Sequence, residues 1–172
     1  VIRGVLFDLG DTIIIEDPDP GAPILQWKRL RRVPYVMALI RSLAKRYRLA
    51  VVTNTSISGR EEVGEALRRV GLGSCFDAIV TSVDVGCEKP GSKIFQYALD
   101  ELGVQPSEAV MIGDRVDTDI LGANRLGITT ILHRWRNRYP VLNSEGFCRP
   151  SYSVNSLREV EGVLDQIESG RA

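Results

Sequence analysis

Two aspartates stand just past short apolar runs, where a strand would end. Asp8 follows Val5-Leu6-Phe7 and opens Asp8-Leu9-Gly10-Asp11-Thr12, and Asp114 follows Val110-Met111-Ile112-Gly113, with Asp119 a few residues on. Between them, Thr53-Asn54 closes the run Leu49-Ala50-Val51-Val52, and Lys89-Pro90 lies downstream of Ala78-Ile79-Val80. Carboxylates, a hydroxyl and an ammonium gathered at one edge suit phosphoryl transfer. A phosphate dianion repels a carboxylate nucleophile, so such a site needs a divalent cation and fixed donors to neutralise charge as the bond forms. Asp8 is the candidate nucleophile, able to form an aspartyl-phosphate that water then opens. The candidate metal ligands are all oxygen, which favours magnesium: Asp8, the carbonyl of Gly10, Asp114 and water, with Asp119 beside them as a ligand or through a bound water. Thr12, the Thr53 hydroxyl and the amides around Asn54 are candidate contacts to phosphate oxygens. Lys89 brings a positive charge, which Pro90 holds out of helical geometry.

The elements that must position these groups are legible in the periodicity. The apolar runs, with Thr130-Ile131-Leu132 as a fifth, suit strands buried on both faces. Between them Val63, Ala66, Leu67 and Val70, then Ile94, Phe95, Ala98, Leu99 and Leu102, and then Ile120, Leu121 and Leu126 follow helical spacing. Ser58-x-x-Glu61 and Ser156-x-x-Glu159 read as capping boxes, Pro34 and Pro90 as helix openers, and Gly71 and Gly103 as helix ends. This alternation predicts an α/β fold: a Rossmann-like, three-layer α/β/α sandwich around a parallel sheet of about five strands. In such sheets ligands bind beyond the carboxyl ends of the strands, where all these candidate groups fall.

The 172 residues fit one domain. Lysines and arginines balance aspartates and glutamates at 22 each, so the net charge of zero argues against generic adhesion to nucleic acid or membranes. No apolar stretch is long enough to span a bilayer, and Val1 to Phe7 lacks the pattern of a secretory signal, which favours a cytoplasmic location. Cys75, Cys87 and Cys148 are odd in number, form no C-x-x-C pair, and read as reduced, mostly buried thiols.

In order and content the strand ends resemble the motifs of the haloacid dehalogenase-like hydrolase superfamily. Phe7-Asp8-Leu9-Gly10-Asp11-Thr12 is similar to its first motif and Gly113-Asp114-Arg115-Val116-Asp117-Thr118-Asp119-Ile120 to its last, over residues 1 to about 135. The resemblance implies a phosphatase in which Lys89 bridges the nucleophile and the transferring phosphoryl group. It also implies a single domain over 1–172 without a cap, since only a short helical insertion at about 16–34, opening on the proline- and aspartate-rich exposed loop Glu16 to Gly21, follows the first motif. An open crevice of that kind suits a large or anionic phosphorylated substrate, or a lid lent by a second subunit of a homo-oligomer.

One departure stands out. Phosphatases of this superfamily usually carry an acid-base aspartate two residues after the nucleophile, and here that position is Gly10. Asp11, one residue later, is the nearest substitute. A second reading is therefore a phosphate- or metal-binding regulatory module with weak turnover. A dehalogenase is a third, disfavoured because it has no need of Asp114 and normally closes a helical cap over its substrate. Asp117 reads as a helix cap, and His133 as a structural or surface residue. The basic stretches 28–32 and 133–139, with Trp27 and Trp135, read either as faces paired with nearby acids or as a grip on an anionic substrate.

Overall fold

Side chains alternate across each strand, and in the central strands both sets are apolar. The computed structural model, which describes residues 1–16, 22–136, 138–139 and 146–170, contains a wholly parallel sheet of β1 (Gly4–Phe7), β2 (Arg48–Thr53), β3 (Ala78–Thr81), β4 (Ala109–Gly113), β5 (Thr129–His133) and β6 (Tyr152–Val154). Val5, Phe7, Leu49, Val51, Val110 and Ile112 face one way, onto helices α1 (Val36–Leu43), α2 (Arg60–Arg69) and α6 (Val160–Glu168). Leu6, Ala50, Val52 and Met111 face the other way, onto α4 (Ser92–Leu102) and α5 (Leu121–Arg125); the short α3 (Ser82–Val85) follows β3. The fold is thus the expected three-layer sandwich. Burying one such aliphatic side chain contributes about 1.5–3 kcal/mol, and strands buried on both faces gain this at every residue.

The strand order is β3-β2-β1-β4-β5-β6. The chain runs outward from β1 through β2 to β3, then returns to the other side of β1 for β4, so β1 lies at the point where the winding reverses. Phe7 pairs with both Val51 and Ile112. The next residue, Asp8, therefore emerges level with Val52 and Gly113, one step below Thr53 and Asp114. Register alone brings three expected site residues to one rim.

The sixth strand was not evident in the sequence. Its three residues sit at the sheet edge with only Val154 buried, so they leave no apolar run to read. The insertion between β1 and β2 holds, among the described residues, a 3-10 turn at Ile24–Gln26 and α1; residues 17–21 of the expected loop lie outside the described residues. One expected cap moves by a residue. Gly59 is the N-cap of α2 and its N–H donates to Glu62, whereas the Ser58 hydroxyl accepts the Ile24 N–H at 2.9 Å and ties the insertion to the start of α2.

Candidate active site

Lys89 is the centre of the buried half of the site. Its ammonium donates to Asp8 Oδ1 at 2.7 Å, to Asp119 Oδ1 at 2.7 Å and to the Val52 carbonyl at 2.8 Å, so all three protons are placed. Burial works to discharge this lysine, but the Asp119 and Asp8 carboxylates outweigh it and hold its pKa above the ordinary value. The backbone of Lys89 is clamped as well. Asn54 Oδ1 accepts its N–H at 2.8 Å, and Asn54 Nδ2 donates to its carbonyl at 3.0 Å.

Asp8, Asp114 and Asp119 each bring a carboxylate oxygen within 4.8 Å of the others. Burial first, and then the charges of Asp8 and Asp119, push the Asp114 carboxyl up to about 9. Asp119 is pushed up to about 6 by burial, with the pull of Lys89 opposing. Crowded carboxylates of this kind are relieved by a cation, and an all-oxygen donor set fits a hard divalent ion. Asp119 owes its place to Gly113, where an added Cβ would stand 2.2 Å from Asp119 Oδ2. Only glycine leaves room for this carboxylate, which also accepts the Arg115 N–H at 3.0 Å.

The other half is built from loops. A hollow of about 80 Å³ is lined by Asp8, Gly10, Thr53, Asn54, Lys89 and Asp114, closed on one side by Glu16, Arg115 and Tyr139. A larger one of about 200 Å³ adjoins it, with Leu9, Ile24, Trp27, Thr55 and Ile57 among its walls. Gly10, Glu16, Thr53 and Asn54 border both. The Glu16 carboxylate accepts from Arg138 Nη1 at 3.3 Å and Tyr139 Oη at 3.2 Å, and the Arg115 guanidinium lies 4.3 Å from the Tyr139 ring centroid. Burial raises the Glu16 carboxyl above its ordinary value, against the pull of Arg138 and with the aid of Asp11.

This geometry has relatives. The haloacid dehalogenase-like hydrolase family profile matches residues 24–133. The chain belongs to the haloacid dehalogenase-like hydrolase family. It is 35% identical over 133 residues to the pyrimidine 5'-nucleotidase YjjG of Escherichia coli, covering 77% of this chain and 56% of that protein. To the human N-acylneuraminate-9-phosphatase it is 33% identical over 133 residues, covering 77% and 52%. The chain thus spans about half the length of the curated relatives it matches. The fold is shared with an uncharacterised protein from Listeria monocytogenes serotype 4b, at a TM-score of 0.88 and 24% identity over 98% of this chain and 99% of that one.

Against the family's motifs, the structure gathers Asp8, Gly10, Thr53, Asn54, Lys89 and Asp114 around one hollow, with Asp119 fully buried behind Lys89. The Asn54 side chain serves the lysine backbone. Two expected contacts lie elsewhere. Thr12 is fully buried, and its hydroxyl has no partner among the described residues and does not reach either hollow. Asp11, the nearest substitute for the missing acid-base residue, has a left-handed backbone (φ 50°) that turns its side chain away. Its Oδ1 accepts the Glu16 N–H at 2.9 Å and its Oδ2 accepts Arg138 Nη1 at 3.0 Å. It borders a small cavity beside His133 and Arg136, which shares Asp114 and Tyr139 with the 80 Å³ hollow.

His133 is buried, and that burial lowers its pKa to about 4, so it is neutral and, of the two expected places, lies in the interior and not on the surface. Within the stretch 133–139, Arg136 and Arg138 both lie beside Asp11, Trp135 packs on the core, and Asn137 lies outside the described residues. The paired-face reading therefore holds for these two arginines. Arg115, Glu16 and Tyr139 are the lining residues the sequence did not single out. Glu16 had one available signal, as an acid shortly after the first motif, but its aspartate- and proline-rich neighbours made it read as loop. The three cysteines are free and half-buried, and among the described residues no helix is long and apolar enough to cross a membrane.

Proposed function

We propose that this domain is a magnesium-dependent phosphomonoester phosphatase working through an aspartyl-phosphate on Asp8. The observation that carries the reading is the Asp8–Lys89–Asp119 contact beside Asp114, a cation-hungry carboxylate cluster opening onto a hollow sized for a phosphoryl group. The nucleotidase and phosphatase names of its relatives support the same chemistry.

Asp8 attacks phosphorus as the bond to the leaving oxygen breaks, and water then displaces Asp8. Lys89 holds Asp8 Oδ1 in place and lends positive charge to the equatorial phosphoryl oxygens, where it strengthens as the transition state spreads charge onto them. The Thr53 hydroxyl and the amides at Asn54 offer neutral donors on the facing wall. Magnesium, held by Asp8, the Gly10 carbonyl and Asp114 with Asp119 in support, would neutralise charge on the phosphate and the nucleophile. Among the described residues only a 3-10 turn and α1 follow the first motif before β2, so we read the domain as capless, with the 200 Å³ hollow taking the leaving group of a bulky phosphorylated substrate. Phosphate release from a panel of phosphomonoesters tests the reading. We expect turnover with magnesium, loss with chelator, and loss in Asp8→Asn; pure protein with no turnover on any monoester would return it to a binding module.

A further inference from the structure

We propose that Glu16 is the proton donor and acceptor of this site, standing in for the carboxylate that position 10 lacks. The assignment rests on the phosphatase reading above and on where the Glu16 side chain lies. An ideal Cβ added to Gly10 would stand 3.5 Å from Glu16 Oε1, 3.6 Å from its carboxyl carbon and 3.8 Å from its Cβ. The Glu16 side chain therefore fills the space that a side chain on residue 10 would enter, and brings a carboxylate there from a different part of the loop.

Its position relative to the two hollows gives the same answer. Glu16 borders both the phosphate hollow and the larger one beside it, so it flanks the passage between them. In a monoester seated with its phosphoryl group against Asp8 and Lys89 and its organic part beside Trp27, the bridging oxygen lies in that passage. That oxygen is the atom that needs a proton as it leaves.

The carboxylate is also held in orientation. Arg138 and Tyr139 both donate to Oε2, and the Glu16 N–H is fixed on Asp11. This gives Asp11 a part in the site as a positioning residue: it orders the Glu16 backbone and shares Arg138 with the Glu16 side chain. In the first step the protonated Glu16 gives its proton to the departing alkoxide as the Asp8–phosphorus bond forms and the phosphorus–oxygen bond to the alcohol breaks. In the second, the Glu16 carboxylate takes a proton from the attacking water as the phosphorus–Asp8 bond breaks, which returns both residues to their starting state with inorganic phosphate as product.

The test uses Glu16→Gln with two substrates of unequal leaving group. With glycerol phosphate, an alkyl monoester, we expect turnover to fall by about 10²–10⁴-fold with no burst. With p-nitrophenyl phosphate, whose phenolate departs unaided, we expect a stoichiometric burst followed by a stall, with the phosphoryl group trapped on Asp8 and seen by mass spectrometry. Gly10→Asp combined with Glu16→Ala, which empties the space a residue-10 side chain would enter, should recover steady-state turnover relative to Glu16→Gln, since the added Cβ itself meets only ordinary contact distances. Alkyl turnover within threefold of the parent, equal loss on both substrates without trapped phosphoenzyme, or a double variant no faster than Glu16→Gln would each overturn the assignment. Full turnover in Asp8→Asn would instead overturn the phosphatase reading beneath it; a dead Asp8→Asn beside an unaffected Glu16→Gln would sink the Glu16 assignment alone.

Discussion

The two sides of the hollow are built by different means. On one, Asp8, Thr53, Asp114 and the Val52 carbonyl are fixed by β1, β2 and β4, and Lys89 is buried among them with its three protons donated. On the other, Glu16, Arg138 and Tyr139 come from loops and are partly open to solvent, held by side-chain contacts of 3.0 to 3.3 Å. In the proposed mechanism the strand-end side performs the phosphorus chemistry, which tolerates little displacement, and the roles of the residues on both sides are those of that mechanism. The loop side faces the leaving group, which differs between substrates. A sheet whose register is enforced by burial on both faces leaves its strand-end groups little freedom, whereas loop contacts allow a role to be taken up by another residue, as we propose for Glu16 in place of position 10.

The sharpest way to break this division is at the nucleophile. Asp8→Asn should lower turnover by at least about 10⁴-fold on good and poor leaving groups alike, read by steady-state phosphate release, because it removes the covalent step itself. A leaving-group-dependent loss would mean that Asp8 belongs to the proton-transfer side. Next is Lys89→Met, which strands the Asp8 and Asp119 carboxylates. Removing one partner of a buried ion pair costs about 3–5 kcal/mol, and chemical denaturation in the absence of divalent cation should show a loss of that size. Added magnesium should recover part of it by giving those carboxylates another cation.

His133 tests how firmly the loop side is founded. It lies beneath Asp11, and among the groups around it Asp11 and Glu159 favour its charged form, but burial prevails and lowers its pKa from 6.5 to about 4. A lowered pKa means that the unfolded chain binds the proton more readily between those values, so stability is complete above about 6.5 and is lost as pH falls towards 4. The shift corresponds to about 3 kcal/mol across that window. His133→Leu should remove this slope in denaturation curves taken at pH 7, 5.5 and 4. The smallest effect is expected for Arg138→Ala. Its guanidinium is about a third exposed, and although Asp11 is buried it keeps Arg136 at 3.6 Å, so the loss of stability should stay at about 1 kcal/mol. Alkyl monoester turnover should nonetheless drop about fivefold, equivalent to about 1 kcal/mol, as Glu16 loses its orientation, while the p-nitrophenyl burst persists.

Periodicity and chain order predicted the layers, the parallel sheet and the strand-end groups, because each depends on a local pattern: apolar runs with turns after them. Edge strand β6 and the true cap of α2 escaped for the converse reason. Tyr152–Val154 is recognisable only by its pairing with β5, and Ser58 is taken from its helix by the Ile24 N–H, thirty-four residues away in sequence. In the site, Asp8, Asp114 and Lys89 were identifiable by position after a strand or beside Pro90. Glu16 was not, since nothing local distinguishes it from the acidic loop it begins.

The sequence by itself determined the chemistry available here: an acid at a strand end, a second acid pair after another strand, a lysine, a hydroxyl, and a glycine where an acid-base residue belongs. Those are matters of residue type and order along a chain whose strands must bury both faces. Only the tertiary structure decided how the gap at Gly10 is filled. Asp11 is near in sequence, but its left-handed backbone turns it toward Arg138 and Arg136, and Glu16, farther along the chain, reaches the vacant space. Side-chain direction on a tight loop is set by the dihedrals and by the arginines that arrive from beyond β5, and no pattern within the loop encodes either.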